Sequence, residues 1–162
     1  MVPFLKLDLG LRHEIADWVQ TSFRHIVIDI PLDKITMDNM LCIGGPVFWA
    51  IAQAKNKILE HRCLQAFDWP EAVHGPNCTL SVACRLTWKS EWWYTFAKCI
   101  LHPEKQYTPT QALEEVELTY TEFMSEECKA LTIQTIREDE GLDPSDEIIQ
   151  EALNALIQFV RR

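Results

Sequence analysis

The sequence predicts an all-α protein: a compact bundle of about six helices in a single domain, residues 1–162. Three observations favour this fold class. Apolar residues recur at steps of three and four along most of the chain. A capping residue followed by proline, a helix-start signal, occurs at Thr108-Pro109 and at Asp143-Pro144. Finally, no two neighbouring segments alternate as paired strands would, and an isolated strand is unstable.

The first helix is expected to run from Asp8 or Gly10 to about Ile28. Its apolar side recurs at helical spacing, and polar residues occupy the other side. The apolar residues are Leu11, Ile15, Trp18, Val19, Phe23 and Ile26. A proline at position 31 then favours extended backbone in the residue before it, which ends the helix.

Two more helices are expected before the turn-rich connection at residues 68–78. A short helix between Asp33 and Cys42 is interrupted by Gly44-Gly45. Pro46 follows the glycines and suits the first turn of a longer helix, because its missing N–H is no loss there. The connection itself contains two prolines and one glycine.

The apolar pattern of residues 79–101 fits both the alternation of a strand and the spacing of a helix. Apolar residues alternate with polar or small ones over residues 80–88, as in a strand. They also fall four apart from Leu80 to Ile100, as in a helix. We predict a helix, because the continuation after residue 90 fits only the longer period. A short extended piece near 79–88 is the alternative.

The last third contains three predicted helices. Thr108, with Pro109 next and Gln111 three residues on, has the pattern of a capping box. Ser125 is the expected cap of a second helix, and Asp143 with its following proline starts the third.

Charge is distributed unevenly. The net charge is −9, from 15 basic and 24 acidic residues. Residues 1–105 hold eleven of each, so the whole excess lies in residues 106–162. The acidity of the whole chain argues against the uniform basic field of an independent nucleic-acid binder. Because residues 1–105 are balanced in charge, it does not exclude a polyanion partner for that part of the chain. No apolar run is long enough to span a membrane, and the N-terminus is charged where a signal peptide is apolar. A cytoplasmic location without membrane contact is expected.

Six cysteines raise the question of disulfides and metals. Their spacing is not the dense pattern of small secreted domains, so we predict reduced cysteines, each a small buried apolar residue. A metal ligand set was considered among His61, Cys63, His74, Cys78 and Cys84. No Cys-x2-Cys pair is present, and His61 and Cys63 face different sides of a helix. The sequence therefore predicts no metal and no cofactor.

Catalytic motifs are not apparent in the sequence. The turn at Gly44-Gly45-Pro46 has no strand before it and no lysine after it, so it matches no phosphate-binding loop. The acidic residues within 114–127 and 138–147 are spaced as solvated helix faces. We predict that the protein is not an enzyme and assign no catalytic residue; a small enzyme with a spatially assembled Cys/His pair is one alternative.

Basic residues interleaved with aromatic ones suggest a nucleic-acid surface. Arg85 and Lys89 share a side whether their segment is helix or strand. The predicted binding residues are Arg24, Lys55, Lys57, Arg62, Arg85 and Lys89. They would contact backbone phosphates of RNA or DNA, with Trp92, Trp93 or Tyr94 stacking on bases. The alternative is a solvated face with core tryptophans; apolar rings left over from the core would mark a protein interface.

In size, helical organisation and lack of catalytic motifs, the whole chain resembles the small subunit of CRISPR interference (Cascade-type) complexes. The resemblance implies a non-catalytic accessory subunit of a nucleoprotein complex in antiviral defence. Such a subunit supports guide, target or displaced-strand nucleic acid beside other protein subunits, and more than one copy per assembly is among the options. The acidic last third departs from that family's basic character. Another alternative is a protein-binding adaptor or inhibitor whose acidic helices, within residues 109–160, dock on a basic partner without nucleic acid.

Overall fold

The computed structural model describes residues 2–103, 105, 107–139 and 141–160. Within these residues the only regular secondary structure is helical and there is no strand, which confirms the all-α prediction. The α-helices are α1 (Pro3–Arg12), α2 (Ala16–Asp29), α3 (Met37–Ile43), α4 (Gly45–Phe67), α5 (Ser81–Glu91), α6 (Lys98–Ile100), α7 (Pro109–Leu118), α8 (Glu126–Arg137) and α9 (Ser145–Val160). A 3-10 turn spans Leu32–Lys34, and a π-helical turn, Trp92–Ala97, joins α5 to α6.

The chain packs as two compact units, each with its own apolar core. Unit 1 is formed by the described part of residues 1–59 and 145–162, and unit 2 by that of residues 60–144. The boundary in the first part of the chain falls inside α4. In unit 1 the core side chains come from α1 to α4 and α9, with Phe23, Ile26 and Ile51 fully buried.

The N-terminal region differs from its sequence prediction. One helix was expected, but α1 ends at Arg12 and α2 begins at Ala16, with Glu14 between them at a φ of 54°. Gly10 explains how the two helices meet. A Cβ at Gly10 would lie 3.0 Å from the Cβ of Trp18, so only glycine lets α2 pack this closely on α1. No proline or glycine marks the turn itself, which is why periodicity predicted one helix.

Residues 79–101, whose apolar pattern fitted both a strand and a helix, lie in unit 2, and this segment is helical from residue 81 to residue 100. The helix prediction for residues 81–100 is therefore confirmed, and the extended alternative near 79–88 is wrong. Trp88 and Phe96 are fully buried, and Trp92 stacks on Phe96 with 3.8 Å between ring centroids. Because a buried indole N–H needs an acceptor, Trp88 donates to the carbonyl oxygen of Pro70 at 2.9 Å.

The predicted helix starts after residue 105 are observed. Thr108 and Gln111 form the reciprocal capping box at the start of α7. Ser125 caps α8, because its Oγ accepts a hydrogen bond from the backbone N–H of Cys128 at 3.2 Å. The last helix begins at Ser145, two residues after Asp143. The Ser125 cap places Cys128 in the first turn of α8, where it meets residues from elsewhere in unit 2.

Candidate functional site

A cluster of four potential metal ligands lies in unit 2. The ligand atoms of His74, Cys78, Cys84 and Cys128 all lie within 4.8 Å of one another. The Sγ of Cys78 is 3.6 Å from the Nδ1 of His74 and 3.6 Å from the Sγ of Cys84. Cys84 and Cys128 are buried, Cys78 is half-buried and His74 is exposed. We call these four residues the Cys/His cluster.

Three separate segments supply the cluster. His74 and Cys78 belong to the loop before α5, where the N–H of Cys78 donates to the carbonyl oxygen of Gly75 at 3.0 Å and closes a turn. Cys84 lies in the first turn of α5, and its N–H donates to the carbonyl oxygen of Leu80. Cys128 comes from α8. The cluster thus connects the loop to two helices.

Hydrogen bonds hold the loop against α8. The N–H of Gly75 donates to the Sγ of Cys128 at 3.3 Å. One helical turn later, Thr132 accepts a bond from the N–H of Val73 at 2.9 Å, and its hydroxyl donates to the carbonyl oxygen of Cys128 at 2.7 Å. These contacts position Cys128 and the His74 segment together.

The thiols of the cluster differ in acidity. Burial disfavours the thiolate of Cys128, but hydrogen bonds from Ser125, Gly75, His74 and Cys78 outweigh it and lower the pKa of the Cys128 thiol to about 6. The backbone of Leu80 favours the Cys78 thiolate, yet burial and the neighbouring thiols raise the pKa of Cys78. The thiolate of Cys128 is therefore favoured, whereas the neighbouring Cys78 thiol retains its proton more strongly than an ordinary cysteine.

The sequence argument found part of this cluster. Three of the five residues that it considered, His74, Cys78 and Cys84, lie in the cluster, whereas His61 and Cys63 do not. It missed Cys128, which lies far along the chain; the only local signal was its position three residues after the Ser125 cap. All six cysteines are free, but only Cys84 and Cys128 are buried, so burial was predicted correctly for two of them.

A second feature of unit 2 is an exposed apolar surface along α5. Residues 82, 86, 89 and 93 follow one another at helical spacing, and Leu86 and Trp93 are 60% and 46% exposed. Trp93 contacts the 63% exposed ring of Phe67, with centroids 5.3 Å apart. The Nζ of Lys89 lies 3.9 Å above the ring of Trp69. We call the surface formed by Phe67, Trp69, Val82, Leu86, Lys89 and Trp93 the α5 surface.

Three of the predicted nucleic-acid-binding residues lie in unit 1, and all contact protein groups. Arg24 forms an ion pair with Asp146 at 2.8 Å. Lys57 lies 3.6 Å from Glu151. The ammonium group of Lys55 donates to two backbone carbonyls at 2.6 Å each, that of Val27 in the last turn of α2 and that of Ile30 directly after the helix.

The other three lie in unit 2. Arg62 is buried, and burial lowers the pKa of its guanidinium against the opposing effect of Asp143. Arg85 and Lys89 are exposed one helical turn apart on α5, on the same side as predicted. Of the proposed stacking residues, Trp92 is buried and therefore unsuited to the role, whereas Trp93 and Tyr94 are exposed.

Comparisons with known proteins identify no relative. No protein family, no curated protein and no solved structure matches the chain. The resemblance to the small subunit of CRISPR interference complexes stays a prediction. Within the described residues, the helices include none with the length and apolar character needed to cross a membrane.

Proposed function

We propose that this chain is a non-catalytic helical subunit that binds another protein through the α5 surface. The observation that carries the proposal is the exposure of Phe67, Trp69, Leu86 and Trp93 in unit 2, where the rings of Phe67 and Trp93 contact each other. Fully burying a large apolar side chain contributes about 1.5–3 kcal/mol. These four side chains are 41% to 63% exposed, so covering each of them would contribute part of that amount and favour association. Aromatic residues and arginine are also the types enriched at protein interfaces.

The charges around this surface indicate what the partner presents. From residue 81 to residue 100, the charged residues are Arg85, Lys89 and Lys98 against Glu91. This net-basic segment lies within a unit that is otherwise rich in acidic residues. The matching partner surface therefore has an apolar centre with carboxylates around it.

Nucleic acid is the competing partner. Arg85 and Lys89 suit phosphates, and Trp93 and Tyr94 suit base stacking. Two features favour protein instead: Val82 and Leu86 are aliphatic and offer no stacking face, and only one of the six predicted basic residues, Lys89, belongs to the α5 surface. A role beside guide-bound subunits, as the CRISPR resemblance implies, is compatible with a protein contact of this kind.

The test is purification of the tagged full chain at its native expression level, with and without nuclease. Leu86→Glu places a negative charge at the centre of the α5 surface, where it would repel an acidic partner. Leu118→Glu is the matched control, because Leu118 is 82% exposed on α7 of the same unit. We expect a stoichiometric protein partner with wild type and L118E, resistant to nuclease, and its loss with L86E.

Two outcomes would refute the proposal. Retention of the same partner by L86E, with unchanged stoichiometry, would show that the α5 surface is not the contact. Release of the partner by nuclease would show that nucleic acid bridges the two proteins. A photocrosslinking residue at position 86 gives an independent readout, because a direct protein contact yields a covalent adduct to the partner chain.

A further inference from the structure

We propose that His74, Cys78, Cys84 and Cys128 bind one zinc ion in a closed, structural Cys3His site. The inference rests on the positions and chemistry of four side chains in unit 2 and is independent of the α5 surface. Three thiols and one imidazole from three separate segments converge on a common centre. A set of four protein ligands is typical of structural zinc, because a catalytic zinc keeps one position open.

The distances agree with tetrahedral zinc. Zinc lies about 2.3 Å from sulfur and about 2.0–2.1 Å from nitrogen. Tetrahedral angles then place two sulfur ligands about 3.8 Å apart and a sulfur and a nitrogen about 3.6 Å apart. The observed separations from Cys78 are 3.6 Å to the Sγ of Cys84 and 3.6 Å to the Nδ1 of His74. Because no pair exceeds 4.8 Å, the cluster needs to contract by at most about 1 Å.

The alternative reason for close sulfurs, a disulfide, does not fit. A disulfide requires about 2.05 Å between the sulfurs, and all six cysteines are free. Soft thiolate ligands with an imidazole select zinc over magnesium or calcium, which prefer oxygen ligands. On binding, the three cysteines coordinate as thiolates and the imidazole binds through Nδ1; each thiol that is still protonated releases its proton to solvent, and the step involves no electron transfer.

The surroundings are suited to a negatively charged centre. Three thiolates and one Zn²⁺ leave a net charge of −1, which the donors around the cluster can stabilise. The N–H of Gly75 points at the Sγ of Cys128. Cys128 also lies in the first turn of the 12-residue helix α8, where the helix dipole favours negative charge.

The ion would add to the hydrogen bonds that already connect the loop to the two helices of unit 2. The loop before α5 has no regular secondary structure between residues 68 and 80. Zinc would join this loop to the start of α5 through Cys84 and to α8 through Cys128. Because a structural zinc site contributes directly to folding, unit 2 is expected to depend on the metal for its stability.

The first experiment measures metal content in the purified full chain. We expect one zinc per chain by mass spectrometry of the metal, and none with Cys84→Ser or Cys128→Ser. Cys63→Ser is the matched control, because Cys63 is a half-buried cysteine of the same unit outside the cluster. Cobalt substitution should give thiolate charge-transfer bands and the intense visible absorption of a tetrahedral site.

A variant at the exposed residue of the cluster distinguishes loss of zinc binding from unfolding of the variant. His74 is exposed, so His74→Ala removes a ligand with little effect on packing. Removing a residue that only hydrogen-bonds to a metal ligand lowers metal affinity by about 10–100-fold. Removing the ligand itself should therefore lower the affinity by at least about 100-fold. Competition with a chromophoric chelator measures this difference.

Thiol alkylation of the wild-type chain gives a readout that needs no variant. With zinc bound, Cys78, Cys84 and Cys128 should be protected from iodoacetamide, and a strong chelator should remove the protection. The proposal is wrong if the purified chain holds no zinc and takes up neither zinc nor cobalt. It is also wrong if H74A and C84S bind zinc as tightly as C63S. Partner binding through the α5 surface is measured separately, so the two proposals fail separately.

Discussion

Lys55 and Lys57 lie two residues apart on α4, yet the structure gives them different roles. Both were predicted to contact nucleic acid. The Nζ of Lys55 donates to the carbonyl oxygens of Val27 and Ile30, each at 2.6 Å, in a partly buried setting. Lys57 instead forms an exposed ion pair with Glu151. Replacing each by methionine keeps most of the unbranched apolar stem of the side chain and removes the ammonium group.

The expected changes in the free energy of unfolding follow from these contacts. A hydrogen bond from a charged donor contributes about 1.5–3 kcal/mol, and a carbonyl left without its donor carries a desolvation cost. Water at this partly buried site recovers some of the loss, so Lys55→Met should lower the free energy of unfolding by about 2–4 kcal/mol. An exposed ion pair contributes about 0–1 kcal/mol, so Lys57→Met should change it by less than about 1 kcal/mol.

Urea unfolding followed by circular dichroism measures both values, and native-state hydrogen exchange locates the effect. In Lys55→Met, the amides of the C-terminal turns of α2 and of the following 3-10 turn should lose protection first. Equal and small changes in the two variants would refute the structural role of Lys55. The same result would instead favour the phosphate contact that the sequence suggested for the ammonium group of Lys55.

Three further predictions concern helix packing and capping. Gly10→Ala should destabilise unit 1 by about 1–3 kcal/mol, because the new methyl group meets Trp18; thermal unfolding measures this. Thr108→Ala should cost about 1 kcal/mol in the urea assay, because the capping box of α7 is lost. Lys129 is 2% exposed and donates to the carbonyls of residues 117 and 119. Lys129→Met should therefore cost more than Arg137→Gln, which breaks only an exposed ion pair and should cost less than about 1 kcal/mol.

Each of these predictions has an outcome that contradicts it. An unchanged melting temperature in Gly10→Ala would mean that α1 and α2 can separate at no cost. A neutral Thr108→Ala would show that water replaces the cap. If Arg137→Gln destabilises the protein as much as Lys129→Met, the link between the end of α7 and α8 depends on the ion pair instead of the buried ammonium group.

Much of the fold could be predicted because its signals are local. The capping box at Thr108 and the cap at Ser125 involve residues three apart, and both are observed. The helical period over residues 81–100 was strong enough to outweigh the alternation in its first half. The break at Glu14 was missed because a close approach of two helices at Gly10, and not a residue in the turn, determines it.

The candidate sites also combine features that follow from local sequence with features that depend on how the helices pack. On α5, the shared side of Arg85 and Lys89 follows from their spacing alone, and it is observed. Burial of Trp92 agrees with its place among the apolar residues four apart from Leu80 to Ile100, and it makes the alternative role of Trp92 in base stacking unsuitable. His74, Cys78 and Cys84 were considered together because they are near in sequence, but the fourth member of the Cys/His cluster, Cys128, was not.

By itself, the sequence determined the helical class, most helix starts, and the charge balance of each region, since these depend on residue type and short spacing. Only the tertiary structure decided that Cys128 reaches the loop containing His74, and that Lys55 contacts the end of α2. Contacts between residues distant along the chain depend on how helices pack, and no local period encodes that packing. The Cys/His cluster could therefore be recognised only after α8 and the loop before α5 were placed together.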